Sequence, residues 1–461
     1  MSQFDLSQYK HVHFIGIGGI SMSGLAEILL YNHYIVSGSD IKSSSLTKKL
    51  ESKGATIYIG HSRENIKNVD LVIYTAAVKA DNEELIRAYE LNIPTMERAV
   101  FLGNIMKNYD RCIAVSGTHG KTTTTSMISV ILEHAQYDPT ILVGGELDAI
   151  GGNVKVGNSE YFITEACEYV ESFLHFHPYM GIILNIEEDH LDYFENLDHI
   201  KRAFYKFANL IPENGYLIAN GNNENVVSIL KDIKCPIITF GTRENCDWQA
   251  IDINFDDMGC ASFDVIYKEE NIGRFYLAIP GLHNVINALS AIACTHYLNI
   301  PFSKIREGLT LFKGTHRRFE LKGKIQNISV VDDYAHHPTE IKATLEAAKR
   351  YPHKKLWCIF QPHTYTRTLT LLDEFSKAFD MTDEVIVADI YAAREKDLGL
   401  IHSKDLVKAI ESTGQAAKYL GDFSSILAYL LKNLQPGDMV ITMGAGNINQ
   451  VGDLLLTELA K

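Results

Sequence analysis

The stretch Ala114-Val115-Ser116-Gly117-Thr118-His119-Gly120-Lys121-Thr122-Thr123 decides the fold. An apolar run, Cys112 to Val115, leads into it, and a helix-like run, Thr123 to His134, leads out. Strand, glycine turn, lysine, hydroxyl and helix in that order form an arrangement that holds a nucleoside triphosphate. Backbone N–H groups converge at the helix N-terminus, where the helix dipole favours negative charge. Gly117 and Gly120 let the backbone approach the phosphates, with Thr118, His119 and Thr123 completing the cradle. Lys121 is placed to reach the β- and γ-phosphates, and the Thr122 hydroxyl to ligate Mg²⁺. The common form of this loop has a glycine where Val115 stands, so the turn here is tighter.

A second glycine turn, Gly16-Ile17-Gly18-Gly19 with Gly24 beyond it, follows the strand-like His11 to Ile15 and has no lysine. Asp40 ends the next strand-like run, as the ribose-binding acid of a dinucleotide fold does. Ser21 stands where the last glycine of a strict G-x-G-x-x-G would be. Three readings stay open: an NAD site, a nucleotide-sugar or other dinucleotide-like ligand, or tight packing alone. With the lysine loop, this turn suggests two phosphate-bearing ligands on one chain.

Outward from these turns, strand-like and helix-like runs alternate, which predicts an α/β chain with parallel sheets. A length of 461 residues suggests roughly two to four domains. We expect three: 1–108, Rossmann-like; 109–317, a central P-loop ATPase-type α/β domain; and 318–461, Rossmann-like. Within the second, alternating stretches such as Ala261 to Tyr267 predict antiparallel strands at one edge, and Asn284 to Leu298 an alanine-rich helix. Hydrophobic and charged contents of 46% and 22% are ordinary for a globular protein. A net charge of -14 argues against a general nucleic-acid binder. Seven cysteines without a C-x-x-C pair fit reduced thiols. The polar first ten residues do not read as a signal peptide, and no apolar run approaches the roughly 20 residues that span a bilayer. The expected setting is cytoplasmic, without membrane insertion, as a monomer or homodimer.

Further polar residues gather at strand ends, where open α/β sheets bind ligands. Glu165 ends the run Tyr161 to Thr164, and Asp189-His190 follows Met180 to Asn185. Each alone is more often structural; with Lys121 and Thr122 they suggest a phosphoryl-transfer site in which Glu165 and His190 serve Mg²⁺. His283, Asn284 and Asn287 open the alanine-rich helix, either as caps or as readers of a purine edge. Asp332-Asp333-Tyr334-Ala335-His336-His337, Gln361 to Arg367 and Gly444 to Asn447 each lie past a strand of the third unit.

These motifs, in this order, resemble the Mur ligases. The resemblance rests on Gly117 to Thr125, Asp189-His190, His283-Asn284 with Asn287, and Asp333-Tyr334-Ala335-His336, and covers essentially the whole chain. The run His13 to Gly24, with Arg317-Arg318-Phe319-Glu320 and Phe360 to Thr368, is most similar to the branch that adds L-alanine to UDP-N-acetylmuramate. The resemblance implies an ATP-dependent amide-forming ligase of peptidoglycan precursor synthesis, serving cell-wall biogenesis, cell shape and division. It implies a nucleotide-sugar domain, an ATPase domain and a C-terminal domain that closes over ATP and amino acid. Gly16, Gly18, Gly19, Ile20, Ser21 and Asp40 would then hold the UDP-sugar. His283, Asn284 and Asn287 would lie near adenine, Arg317 and Asp333 against ATP, and Tyr334, His336 and Arg367 against the amino acid. Lys121, Glu165, His190, Asp333 and His336 would carry the chemistry. Many members of the branch have a basic residue at Thr364. Some Mur ligases carry a carbamylated lysine near the position of Lys206, which has no role assigned here.

Three other readings compete. A related ligase takes a murein tripeptide instead of alanine. An NAD-dependent oxidoreductase built on the first turn would leave Lys121 without a purpose, and a nucleotide sensor or motor would leave His336 and Arg367 without one.

Overall fold

The computed structural model describes residues 6–393 and 395–461, which form two compact units. Residues 6–186, 200–239 and 293–304 make the first, and 187–199, 240–292 and 305–461 make the second. Among the described residues no helix is long and apolar enough to cross a membrane.

The first unit begins with a five-stranded parallel sheet. Its order is Thr56–Ile59, Ile35–Asp40, His11–Ile15, Leu71–Tyr74, Thr95–Glu97. Apolar runs such as Val12, Phe14 and Ile15 are fully buried, as a strand covered on both faces requires. The order reverses beside His11–Ile15, so the turn at Gly16 opens at a topological switch point. Helix Ile20–Tyr31 follows directly.

A second sheet in this unit is built around Arg111–Ser116. Met180–Ile183 and Tyr161–Ala166 pair parallel to it on either side, and Tyr216–Asn220 lies beyond the former. Thr140–Leu147 adds to the Tyr161–Ala166 side and turns back antiparallel through Gly152–Lys155. Helix Lys121–His134 starts two residues earlier than the sequence pattern suggested, so Lys121 and Thr122 belong to its first turn.

In the second unit, Trp248–Phe255, Cys260–Tyr267 and Glu270–Pro280 form the expected antiparallel meander. Trp248 is fully buried and stacks on Tyr267 at 4.1 Å between ring centroids. The alanine-rich helix runs Leu282–Tyr297, with residues 282–292 in this unit and 293–297 in the first. A six-stranded sheet follows, ordered Glu320–Ile325, Ile328–Asp333, Met439–Met443, Leu356–Phe360, Glu384–Ala388, Ala417–Gly421. All its pairs are parallel except the first. Alternation along Leu356–Phe360 feeds two cores: Leu356, Cys358 and Phe360 face one, and Trp357 and Ile359 the other.

In the first unit, Gly103 sits in helix Arg98–Met106, where an added Cβ would fall 1.9 Å from the His175 carbonyl oxygen. The obstacle is backbone and cannot rotate away. Gly103→Ala should therefore destabilise the fold by at least the ~1–3 kcal/mol typical of overpacking. Urea unfolding followed by circular dichroism checks this; an unchanged midpoint and slope would show that the helix moves off freely.

Candidate active site

In the first unit the lysine loop leaves strand Arg111–Ser116 at Gly117, whose φ of 142° is outside the range side chains favour. A Cβ there would fall 3.0 Å from Leu184 Cβ and 3.2 Å from the Asn185 nitrogen. Asn185 clamps the turn. Its carbonyl accepts from Thr118 N at 3.1 Å, its Oδ1 accepts from His119 N at 2.8 Å, and its Nδ2 donates to the His119 carbonyl at 3.1 Å. Gly120 takes the N-cap position of helix Lys121–His134, and no side chain caps that helix. Its first N–H groups are therefore left to the loop's concave side.

Lys121 curls back over this loop. Its Nζ donates to the carbonyls of Gly117 and Thr118 and pairs with Glu168, at 3.0 Å to Oε2 and 3.3 Å to Oε1. Glu168 is 2% exposed. Burial alone would lower the lysine's pKa; the charge of Glu168 outweighs it, and the net shift is upward. The ammonium stays charged.

Glu165 lies near the end of strand Tyr161–Ala166, which runs one residue beyond it. Its Oε1 accepts from Gly144 N at 2.6 Å, and a Cβ on Gly144 would sit 2.8 Å from both carboxylate oxygens. A Cβ on the next residue, Gly145, would sit 3.2 Å from Thr122 Cγ2. The pair Gly144–Gly145 thus lies against Glu165 and Thr122 in turn. The hydroxyl of Thr122 and the carboxylates of Glu165 and Glu168 are hard oxygen donors of the kind Mg²⁺ takes.

The earlier turn is held by its own strand neighbour. Gly16 N and Ile17 N donate to the Ser39 carbonyl at 2.8 and 3.0 Å, and Gly18 N donates to Asp40 Oδ2 at 2.9 Å. Asp40 thus spends one oxygen on the turn. Gly19 precedes helix Ile20–Tyr31, which also lacks a side-chain cap. The Ser21 hydroxyl accepts from Arg98 Nη1 at 3.1 Å, and the Ile20 carbonyl accepts from Asn153 Nδ2 at 2.6 Å.

The second unit holds the other expected residues. Asp189 accepts from Arg367 Nε at 3.1 Å and Nη2 at 2.8 Å, and from His190 N at 2.7 Å. Burial pushes the Asp189 carboxyl up, but His190 and Arg367 hold it far below the usual carboxylate range. His190 has φ 53°, Thr364 has φ 66°, and both line one cavity of about 60 Å³ with Arg367, His363 and Glu395. Strained backbone of this sort gathers at functional sites. The His336 ring stands 5.4 Å from Tyr334 and 5.6 Å from His363. Its Nδ1 meets the Tyr334 carbonyl at 2.9 Å. Burial lowers its pKa to about 4, although Glu340 pulls the other way.

Asp333 accepts from Phe319 N at 2.8 Å and Ala335 N at 2.7 Å, yet burial still raises it to about 6. Arg317 is taken up locally, by Asp332 Oδ2 at 3.0 Å and the carbonyls of Gly446 and Gly444 at 2.9 and 2.7 Å. His283 and Asn284 lie inside helix Leu282–Tyr297 and are not its caps, because the helix begins at Leu282. Asn284 Nδ2 donates to the Pro280 carbonyl at 2.6 Å, and Asn287 Nδ2 to Asn284 Oδ1 at 3.2 Å. Lys206 pairs with Glu171 at 2.9 Å.

Glu168, Gly144–Gly145, Arg98 and the Asn185 clamp escaped the motif reading. Only Glu168 left a trace, as a second acid three residues after Glu165.

Parallel sheets, a clamped glycine turn, an uncapped helix and a partly buried lysine define a P-loop-type α/β protein. Comparison with known proteins narrows this. The Mur ligase family catalytic domain matches residues 11–110, the Mur ligase middle domain 115–295, and the Mur ligase glutamate ligase domain 317–446. The chain belongs to the Mur ligase family and has its three-domain α/β fold. The UDP-N-acetylmuramate–L-alanine ligase of Acetivibrio thermocellus is 59% identical over 459 residues, 99% of this chain and 98% of that protein. The crystal structure of the UDP-N-acetylmuramate–alanine ligase of Thermotoga maritima superposes with a TM-score of 0.84 at 30% identity, over 98% of this chain and 99% of that one. A murein peptide ligase from Psychrobacter arcticus superposes with a TM-score of 0.76 at 28% identity, over 98% and 99%.

His336 and Asp333 titrate oppositely. The folded pKa of His336 lies below its unfolded value of about 6.5, so it contributes stability above that value, lost as pH falls toward 4. The folded pKa of Asp333 lies above its unfolded value, so it favours the fold at acid pH and loses that contribution as pH rises from about 4 to 6. His336→Gln should therefore show a shallower rise of unfolding free energy between about pH 4 and 6.5 than the wild type. Urea titrations at stepped pH measure this; parallel curves for the two proteins would contradict it.

Proposed function

We infer that this protein is an ATP-dependent, ADP-forming ligase that joins L-alanine to UDP-N-acetylmuramate in cytoplasmic peptidoglycan precursor synthesis. The observation that carries the reading is the 59% identity, over nearly the whole of both chains, to a UDP-N-acetylmuramate–L-alanine ligase. The murein peptide ligase of Psychrobacter arcticus represents a competing type, at a lower TM-score than the alanine ligase of Thermotoga maritima. An NAD-dependent reading gains nothing from Asp40, which binds its own turn.

On this reading residues 1–108 take the UDP-sugar, 109–317 take ATP, and 318–461 serve the amino acid. The lactyl carboxylate attacks the γ-phosphate of ATP, giving an acyl phosphate and ADP. The alanine amine then attacks the acyl carbon and phosphate leaves, with the amine's proton passing to solvent or a basic group. A carboxylate is a poor electrophile, so phosphorylation supplies its leaving group. Two anions must meet for the first step, and Lys121 offsets that repulsion. The ammonium is already charged, with Glu168 and two loop carbonyls as partners that phosphate oxygens can replace. Thr122, Glu165 and Glu168 fit Mg²⁺ by donor chemistry. When bound, Mg²⁺ screens the phosphate charge.

In the second unit, Asp189 fixes the Arg367 guanidinium by two hydrogen bonds, which orients it for a carboxylate. His336 is held neutral at physiological pH, so its imidazole can accept a hydrogen bond from an amine. A cavity of about 60 Å³ lined by Arg367, Asp189 and His363 suits a small side chain.

Phosphate release should require ATP, UDP-N-acetylmuramate and L-alanine together. Release that depends on L-Ala-D-Glu-diaminopimelate and ignores alanine would assign the chain to the tripeptide ligases. Lys121→Ala should lower the rate by about 10²–10³ or more, as loss of a transition-state cation does, with the fold intact. Glu165→Ala should raise the Mg²⁺ concentration needed for half-maximal rate, and an unshifted titration removes Glu165 from the metal's surroundings.

A further inference from the structure

The lysine loop uses the carboxyl ends of the strands in the first unit's larger sheet. The amino ends of the same strands carry a separate cavity of about 480 Å³. Three of four adjacent strands present their first residues there: Tyr216, Arg111 and Tyr161. Tyr179, just before Met180–Ile183, fills the place between Tyr216 and Arg111. The row is fixed by backbone bonds: Tyr216 N donates to the Tyr179 carbonyl at 3.1 Å, and Tyr179 N to the Cys112 carbonyl at 2.9 Å. His296 and Phe302, stacked at 5.0 Å, wall the opposite side.

The chemistry of this row is specific. The Arg111 guanidinium lies over the Tyr179 ring, its Cζ 4.2 Å from the centroid. No hydrogen bond or ion pair to it occurs among the described residues, so its five donors are directed to solvent and the cavity. Tyr179 and Tyr216 meet edge to face at 6.3 Å, and neither hydroxyl has a partner among the described residues. Glu160 is the acidic neighbour, and its carboxylate is engaged with the Tyr161 hydroxyl. Aromatic faces beside a planar, unpaired guanidinium suit a flat ring that carries a phosphate or carboxylate. The volume is in the usual range for small-molecule sites.

We propose that this cavity is a second ligand site, separate from the lysine loop, for a planar aromatic ring bearing one phosphate or carboxylate. The ring packs among Tyr161, Tyr179 and Tyr216, and the anion is held by Arg111.

The test uses the full chain with its nucleotide loop saturated by a non-hydrolysable ATP analogue and the UDP-sugar present. Isothermal titration with 1-naphthyl phosphate should show one saturable site, and 1-naphthoate should bind comparably. Inorganic phosphate and 1-naphthol, each half of the ligand, should bind at least tenfold more weakly. Arg111→Gln should weaken 1-naphthyl phosphate at least tenfold and leave 1-naphthol unchanged; Tyr179→Leu should weaken both. The wild-type titration stands without the variants: no saturable binding of either anion up to millimolar concentration overturns the proposal. Equal affinity for 1-naphthol and its phosphate, or an Arg111→Gln variant that binds as tightly as wild type, also overturns it.

Discussion

The contact between the Lys121 ammonium and the Glu168 carboxylate is the interaction on which the rest of the first unit's site depends. A lysine enclosed by a glycine turn must be compensated or it loses its proton. Glu168 supplies that compensation at 3.0 Å. It is brought there by the chain leaving strand Tyr161–Ala166, the strand that also carries Glu165. One strand therefore places both carboxylates, and its parallel pairing with Arg111–Ser116 sets them against the loop. Asn185 closes the arrangement from the other neighbouring strand, through three hydrogen bonds to Thr118 and His119. The loop is rigid because both flanking strands hold it. Its lysine stays charged because the acid that partners it belongs to the same framework.

Absent side chains do comparable work. Glu165 reaches the backbone of Thr140–Leu147 only because Gly144 has no Cβ to block it. In the second unit the same economy appears as charge. Asp189 is desolvated but bound to Arg367 and stays ionised, whereas Asp333, bound only to backbone N–H groups, is raised to about 6. A guanidinium charge acts on both, but Arg367 also hydrogen-bonds Asp189 directly, whereas the charge of Arg318 does not offset the burial of Asp333.

The strands around the two glycine turns were legible in the sequence because each is a short apolar run broken by glycine, and the turn residues follow at once. The antiparallel meander was legible from the alternation in Ala261 to Tyr267. Helix starts were less so. Lys121 and Thr122 read as loop because their motif is named for its ligand, yet they form the first helical turn. His283 and Asn284 could be read as caps or as readers of a purine edge; the helix begins at Leu282, before them, so the cap reading fails. Glu168 was illegible for a different reason. Its meaning lies in a salt bridge to a residue 47 positions away, and no local pattern encodes such a contact. Gly144 and Gly145 carry no motif of their own, since only the three-dimensional fold shows which carboxylate and hydroxyl lie against them.

The central claim is that the first unit's loop transfers phosphate to a carboxylate, which an amine then attacks. The most direct measurement is the fate of isotopic oxygen. UDP-N-acetylmuramate labelled with ¹⁸O in its lactyl carboxylate is turned over with ATP and L-alanine, and the inorganic phosphate is analysed by mass spectrometry. Passage through an acyl phosphate predicts phosphate that carries one ¹⁸O atom from the carboxylate for each amide formed. Unlabelled phosphate, with amide still produced, would contradict the account.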